Sequence, residues 1–189
     1  PYYERFLARW PTVKKLAQAE VEDILAAWAG LGYYSRARNL HACARAVVAE
    51  YNGSFPTSSA ALEKLPGIGP YTAAAIAAIA FGESVMPVDG NIERVVARLF
   101  AVREPLPGAK VELRKLASTL TPATRAGDFA QAMMDLGATI CTPRRPSCLM
   151  CPLNGACEGH ALGIAADLPA REAKSERLVR RTIAFVALR

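Results

Sequence analysis

Apolar residues recur through most of the chain at the spacing of buried helix stripes. Over residues 34–50, Leu40, Cys43, Ala44, Val47 and Val48 fall in i, i+3, i+4, i+7, i+8 order, with Arg36, Arg38 and Arg45 off the stripe. A helical pattern begins directly after Pro1, and Val21, Ile24, Leu25 and Trp28 mark a further amphipathic helix ended by Gly30 and Gly32. Ser58 or Ser59 caps a short helix running to Lys64. Pro66-Gly67-Ile68-Gly69 then breaks the chain, and Pro70 suits the first turn of an alanine-rich helix over 71–81. Asp89 or Gly90 opens the next helix, with Ile92, Val95, Val96 and Leu99 inward. Helices follow over 109–120 and 127–140, the latter with Phe129, Ala132, Met133, Leu136 and Ile140 as its stripe. Between residues 141 and 157 the periodicity stops, because Pro143, Pro146 and Pro152 preclude a continuous helix. Residues 161–181 read as a polar, basic linker, and 182–188 as an apolar, β-rich run. No repeat of fixed period is visible, and the pattern predicts an all-α fold.

Composition narrows the reading. A chain of 189 residues has room for one domain or two small lobes, and 52% hydrophobic residues supply a core, so disorder is not the default reading. The longest apolar stretch, around 73–81, is too short to span a bilayer, and no signal peptide is visible at Pro1. The chain begins without Met and stops within its last apolar run, so both ends read as cuts. A net charge of +6 favours a polyanionic partner, either nucleic acid or an acidic membrane surface.

Five cysteines without a secretory signal point to metal binding rather than a disulfide framework. Cys141, Cys148, Cys151 and Cys157 are spaced C-x6-C-x2-C-x5-C. Zinc ribbons and fingers pair two C-x2-C knuckles across a longer gap. Only one knuckle exists here, and two outer cysteines flanking it suit a loop wrapped around an iron–sulfur cubane. Cys43 lies on an apolar stripe and reads as core packing. The second motif is Leu65-Pro66-Gly67-Ile68-Gly69-Pro70-Tyr71-Thr72, which joins two helices through two glycines. Backbone N–H groups at the start of the second helix can cradle a phosphate, although a G-x-G alone also fits an ordinary tight turn. Such a contact grips DNA without reading its sequence.

These strings, with Val88-Asp89-Gly90-Asn91, resemble the helix-hairpin-helix base-excision glycosylases that carry a [4Fe-4S] cluster. Gly30-Leu31-Gly32-Tyr33-Tyr34-Ser35-Arg36-Ala37-Arg38-Asn39-Leu40 and Gln131-Ala132-Met133-Met134-Asp135-Leu136-Gly137-Ala138 resemble the MutY adenine DNA glycosylase family in particular. The likeness covers about residues 1–160. It implies a six-helix barrel lobe with the hairpin over 1–85, an iron–sulfur cluster lobe over 86–160, and a basic linker leading into a further domain over 161–189. The activity implied is base-excision repair: hydrolysis of the N-glycosidic bond of adenine opposite 8-oxoguanine or guanine in double-stranded DNA. The [4Fe-4S] cofactor would sit on Cys141, Cys148, Cys151 and Cys157, and the loop carrying Arg144 and Arg145 would lie on the DNA backbone. A monomer with no membrane association is implied. It would be cytoplasmic and nucleoid-associated in a bacterium, or nuclear or mitochondrial in a eukaryote.

Residue roles follow the same likeness. Breaking the bond needs protonation of the departing base and a carboxylate to stabilise the oxocarbenium character of the sugar, after the base is flipped out. Asp89 matches that carboxylate, and an Asp before Gly90-Asn91-Ile92 equally suits a helix N-cap. Asn91 matches a residue orienting the carboxylate, and Tyr71 one supporting sugar and aspartate. Gly67, Ile68, Gly69 and Thr72 match the phosphate-gripping hairpin, and Tyr33 the aromatic wedge beside the lesion. The related endonuclease III enzymes carry a lysine nucleophile where Tyr71 stands, so Schiff-base chemistry is not expected. The proton-donating glutamate and the first helix of the family would lie before Pro1, and an 8-oxoguanine-recognising domain would begin near Thr182. The printed chain alone is therefore expected to have very low activity. Alternatives are an endonuclease III-like glycosylase and lyase on oxidised pyrimidines, a non-catalytic iron–sulfur DNA-binding module, and a zinc protein.

Overall fold

The computed structural model describes residues 2–173. The β-rich run expected over 182–188 and the end of the expected linker lie outside the described residues. Ten α-helices follow in order: α1 (Tyr2–Arg9), α2 (Val13–Ala17), α3 (Val21–Ala27), α4 (Ser35–Tyr51), α5 (Ser59–Leu62), α6 (Pro70–Phe81), α7 (Gly90–Leu99), α8 (Lys110–Leu120), α9 (Ala126–Thr139) and α10 (Glu158–Ala161). Among the described residues there is no strand, only an isolated bridge between Leu106 and Arg171. The all-α reading holds. No described helix is long and apolar enough to cross a membrane.

Local chemistry sets the helix ends. Thr12 caps α2 by accepting from the Lys15 N–H at 3.2 Å, and Ser58 caps α5 by accepting from the Ala61 N–H at 3.3 Å. Asn52 and Gly82 close α4 and α6 in the left-handed conformation. Pro70 stands in the first turn of α6, as expected, where its missing N–H costs nothing.

Two hydrophobic cores form. The first joins Cys43 and Val47 of α4, Leu62, Leu65, and Ala73 and Ala77 of α6. The second joins Ile92, Val95 and Val96 of α7, Leu113 and Ala117 of α8, and Ala130, Met133 and Leu136 of α9. Between them α6 crosses α9 with backbone close to backbone. A Cβ added at Gly127 would stand 2.6 Å from the Ala78 carbonyl oxygen and 2.9 Å from the Ile79 Cα, so only glycine permits the approach.

Three expectations are corrected. Leu40 is exposed, and the buried face of α4 instead runs through Ala37, His41, Cys43, Ala44 and Val47. Ala132 is also exposed; α9 buries Ala126, Gly127, Ala130, Met133, Leu136 and Gly137, and Gly127 makes room for the tight crossing. Within 161–173 the chain is not a free connector. Ala165 and Leu168 are buried, Leu106 N–H donates to the Ala170 carbonyl at 2.9 Å, and Glu172 N–H donates to the Leu106 carbonyl at 3.2 Å. Two short apolar anchors suffice to dock a segment whose composition is otherwise polar.

Candidate active site and cysteine cavity

Asp89 opens α7 and is half-buried. Its Oδ1 accepts from the backbone N–H of Asn91 at 2.9 Å and of Ile92 at 2.8 Å. Its Oδ2 accepts from the Asn91 side-chain amide at 3.3 Å. The residue is thus a helix N-cap. The capping geometry leaves Oδ2 with one long partner, so cap and reactive carboxylate are compatible in one side chain.

Asn91 is itself held from behind. Its Oδ1 accepts from Arg94 Nη2 at 2.8 Å, and the same nitrogen donates to the Gly137 carbonyl of α9 at 2.7 Å. Arg94 Nε donates to the Cys141 carbonyl at 2.8 Å. Burial holds this guanidinium below its usual pKa, and the nearby positive charge of Arg98 adds to the effect. A continuous line of hydrogen bonds therefore runs from the Asp89 carboxylate through Asn91 and Arg94 to the first cysteine of the cluster motif.

One turn on, Arg98 is almost wholly buried at 1% exposure. It donates to the Cys141 sulfur at 3.3 Å, to the carbonyls of Thr142 at 2.8 Å and Pro143 at 3.2 Å, and to the Leu168 carbonyl at 2.9 Å. This arginine ties the cysteine loop and the 165–173 segment to α7. Neither buried arginine was among the site residues expected from sequence. The available signal was their i, i+4 spacing within a helix whose other inward positions are apolar.

Cys141, Cys148, Cys151 and Cys157 line a single cavity, walled also by Arg98, Ile140 and His160. All four are free thiols, as is the buried Cys43 on the α4 core face. Burial raises the Cys148 thiol pKa, with smaller contributions from Cys157, Cys141 and Cys151, which places the four sulfurs in one electrostatic neighbourhood. Among the described residues no group of three or more His, Cys, Asp or Glu side chains is arranged for a metal ion. The four side chains that share this cavity are all thiols, the donor set that an iron–sulfur cluster takes.

The hairpin joins α5 to α6. Leu65 is buried and Ile68 packs on the same core, which pins the turn from inside. Gly67 has φ +75°, and a Cβ there would lie 2.5 Å from the Asn39 Cβ. Pro66, Gly67, Gly69, Pro70, Tyr71 and Thr72 face solvent. The open end of α6 therefore presents backbone N–H groups that lack partners inside the helix. Tyr71 and Val88 line one open cleft with Met86, Arg114 and Ser118, which brings the hairpin helix close to the residue preceding Asp89. The Tyr71 hydroxyl donates to the Met134 sulfur of α9 at 3.4 Å rather than to the aspartate. Tyr33 stands apart, 82% exposed and with φ 46°, in the loop before α4.

Comparison with known proteins agrees with this architecture. The model of the HhH-GPD superfamily base excision DNA repair protein matches residues 1–122. A Homo sapiens protein named adenine DNA glycosylase is 47% identical over 159 residues, which are 82% of this chain and 29% of that protein. The chain thus spans less than a third of the human relative's length. A solved thermostable thymine-DNA glycosylase superposes with a TM-score of 0.78 at 32% identity, covering 85% of this chain and 75% of the other. A non-covalent endonuclease III–DNA complex superposes with a TM-score of 0.72 at 26% identity, covering 86% and 76%. With the hairpin, the capped carboxylate and the helical fold all in place, the chain belongs to the HhH-GPD superfamily of base excision DNA repair proteins.

Proposed function

We propose that this protein is a monofunctional adenine DNA glycosylase, hydrolysing the N-glycosidic bond of adenine opposite 8-oxoguanine or guanine in double-stranded DNA. The observation that carries the reading is Asp89. Its Oδ1 is saturated by two backbone N–H groups, and its Oδ2 is held by Asn91 alone. A carboxylate so fixed keeps its orientation while positive charge develops on the sugar, and needs no reorganisation at that moment. Asn91 acts as a positioning residue, and Tyr71 lines the approach to the sugar from the hairpin helix. No lysine occupies the position of Tyr71, so water rather than an amine captures the sugar. The high identity to proteins named adenine DNA glycosylase supports adenine as the excised base.

Gly67, Ile68, Gly69 and Thr72 grip a phosphate through the open end of α6, and Tyr33 enters the base stack beside the mispair. The two cores support division into a hairpin lobe over 1–85 and a cysteine lobe over 86–160. Cys141, Cys148, Cys151 and Cys157 would hold a [4Fe-4S] cluster. Such a cluster, when bound, supplies a rigid cross-link that fixes the Arg144–Arg145 loop for contact with the DNA backbone. The compartment follows the DNA: cytoplasm in a bacterium, nucleus or mitochondrion in a eukaryote.

The test is a single-turnover assay of the full-length protein on duplexes carrying adenine opposite 8-oxoguanine, with borohydride added in parallel. Free adenine without a trapped protein–DNA adduct is expected. An adduct, with release of oxidised pyrimidine and not adenine, would replace this reading with a glycosylase and lyase of the endonuclease III kind.

A further inference from the structure

We infer that Trp28 and Arg36 are positioning residues that hold Tyr33 as a preset wedge for the duplex; this rests on the placement of Tyr33 in the DNA stack proposed above. An aromatic side chain 82% exposed on a loop would ordinarily sample many orientations. Here the loop beneath it is fastened at successive carbonyls. The Tyr2 hydroxyl donates to the Ala29 carbonyl at 2.9 Å, Arg36 Nη2 to the Leu31 carbonyl at 3.4 Å, and Trp28 Nε1 to the Gly32 carbonyl at 3.0 Å. The Arg36 backbone N–H donates to the Tyr33 carbonyl at 2.9 Å. These anchors hold Tyr33 at φ 46°, a left-handed backbone that a residue with a bulky side chain seldom adopts unless its surroundings impose it.

The side chains continue the same support. The Arg36 guanidinium lies 5.5 Å from the centroid of the Trp28 ring and 5.5 Å from that of Tyr33. One cation thus bridges a half-buried ring and an exposed one, within the range of cation–π attraction. Trp28 is in turn set edge-on against Phe6, with centroids 5.8 Å apart and planes at 87°. The exposed tyrosine is therefore linked, through one arginine and one tryptophan, to the aromatic packing of α1 and α3. An orientation fixed before binding spares the duplex complex the entropy of ordering that ring.

The experiment is a double-mutant cycle on the full-length protein, with unfolding curves recorded for every variant. Binding is measured to a duplex carrying a non-hydrolysable adenosine analogue opposite 8-oxoguanine, and stacking is read by a 2-aminopurine placed beside the mispair. Trp28→Phe removes the indole donor and shrinks the ring facing Arg36, and Arg36→Lys keeps the charge but loses the planar fork. Each is expected to weaken binding about threefold to tenfold and to reduce the 2-aminopurine change. On top of Tyr33→Ala, each should add less than about 1.5-fold, because the ring they position is gone. Equal losses in both backgrounds would overturn the inference while leaving Tyr33 as a DNA contact. If Tyr33→Ala itself binds like the unmodified protein, the inference falls together with the wedge reading. Should Trp28→Phe fail to fold, the Arg36→Lys arm decides the matter alone.

Discussion

Replacing Arg94 with lysine should slow base release more than it disturbs substrate binding. The guanidinium reaches Asn91 Oδ1 at 2.8 Å, the Gly137 carbonyl at 2.7 Å and the Cys141 carbonyl at 2.8 Å. A single ammonium cannot span three acceptors on two helices and a loop, so about two of these bonds are lost. With roughly 1–1.5 kcal/mol for each buried acceptor left bare, the variant should be destabilised by about 2–3 kcal/mol. That is well within the 5–15 kcal/mol typical of a domain, so the protein stays folded at moderate temperature. The specific consequence is at Asn91. Freed from Arg94, its amide no longer holds Asp89 Oδ2, and we expect about a tenfold fall in the single-turnover rate, or about 1.4 kcal/mol. Duplex affinity should change by less than about twofold, because no DNA contact is removed. Urea unfolding, binding titration and quenched-flow kinetics on Arg94→Lys, Asn91→Ala and the double variant separate the effects. The double variant should be no slower than about the slower single one. Rate losses that multiply independently would refute the idea that Arg94 acts through Asn91.

Three further outcomes follow from the same geometry. Asp89→Asn should lower the single-turnover rate by about 10²- to 10³-fold. Its unfolding free energy should move by less than about 1 kcal/mol, because asparagine caps a helix as well as aspartate; a variant that stays folded and keeps its rate would show the residue to be only a cap. Gly67→Ala should cost about 2 kcal/mol, from the left-handed backbone and the 2.5 Å approach to Asn39, and should weaken binding to undamaged duplex as well. Chemical unfolding and anisotropy titration check both. Cys151→Ser should lower bound iron severalfold and shift the unfolding midpoint down, read by iron analysis beside urea titration; undiminished iron would remove Cys151 from the ligand set.

Much of this architecture was legible because it depends on spacing and punctuation. Pro70 after Gly69 marks the start of α6, and the apolar positions of α7 are buried as expected. The cysteines that the sequence clusters within seventeen positions do wall one cavity. What the pattern hid has physical reasons. Arginine is ordinarily a surface residue, so residue type alone did not mark Arg94 and Arg98, although backbone carbonyls of neighbouring segments enclose them. Ala132 was placed on the α9 stripe by its apolar character, but the crossing with α6 selects for size, and Gly127 takes the contact. The five-residue α2, with two lysines and a threonine cap, is too short to show a period. The docking of Leu168 depends on the Arg98 side chain, a partner seventy positions away that no local pattern reveals.

The glycine-and-alanine crossing of α6 over α9 has a mechanical corollary. Where the peptide plane of one helix rests on the other, separation is fixed by covalent dimensions rather than by compressible side chains. The crossing is a hard stop, not a spring. Tyr71 at one end of α6 and Met134 on α9 are thereby kept in register, and enlarging any residue at the contact would tilt the hairpin like a lever about that fulcrum. Jaw spacing in this molecule is thus a property of its smallest residues, and it can be altered only by moving whole helices.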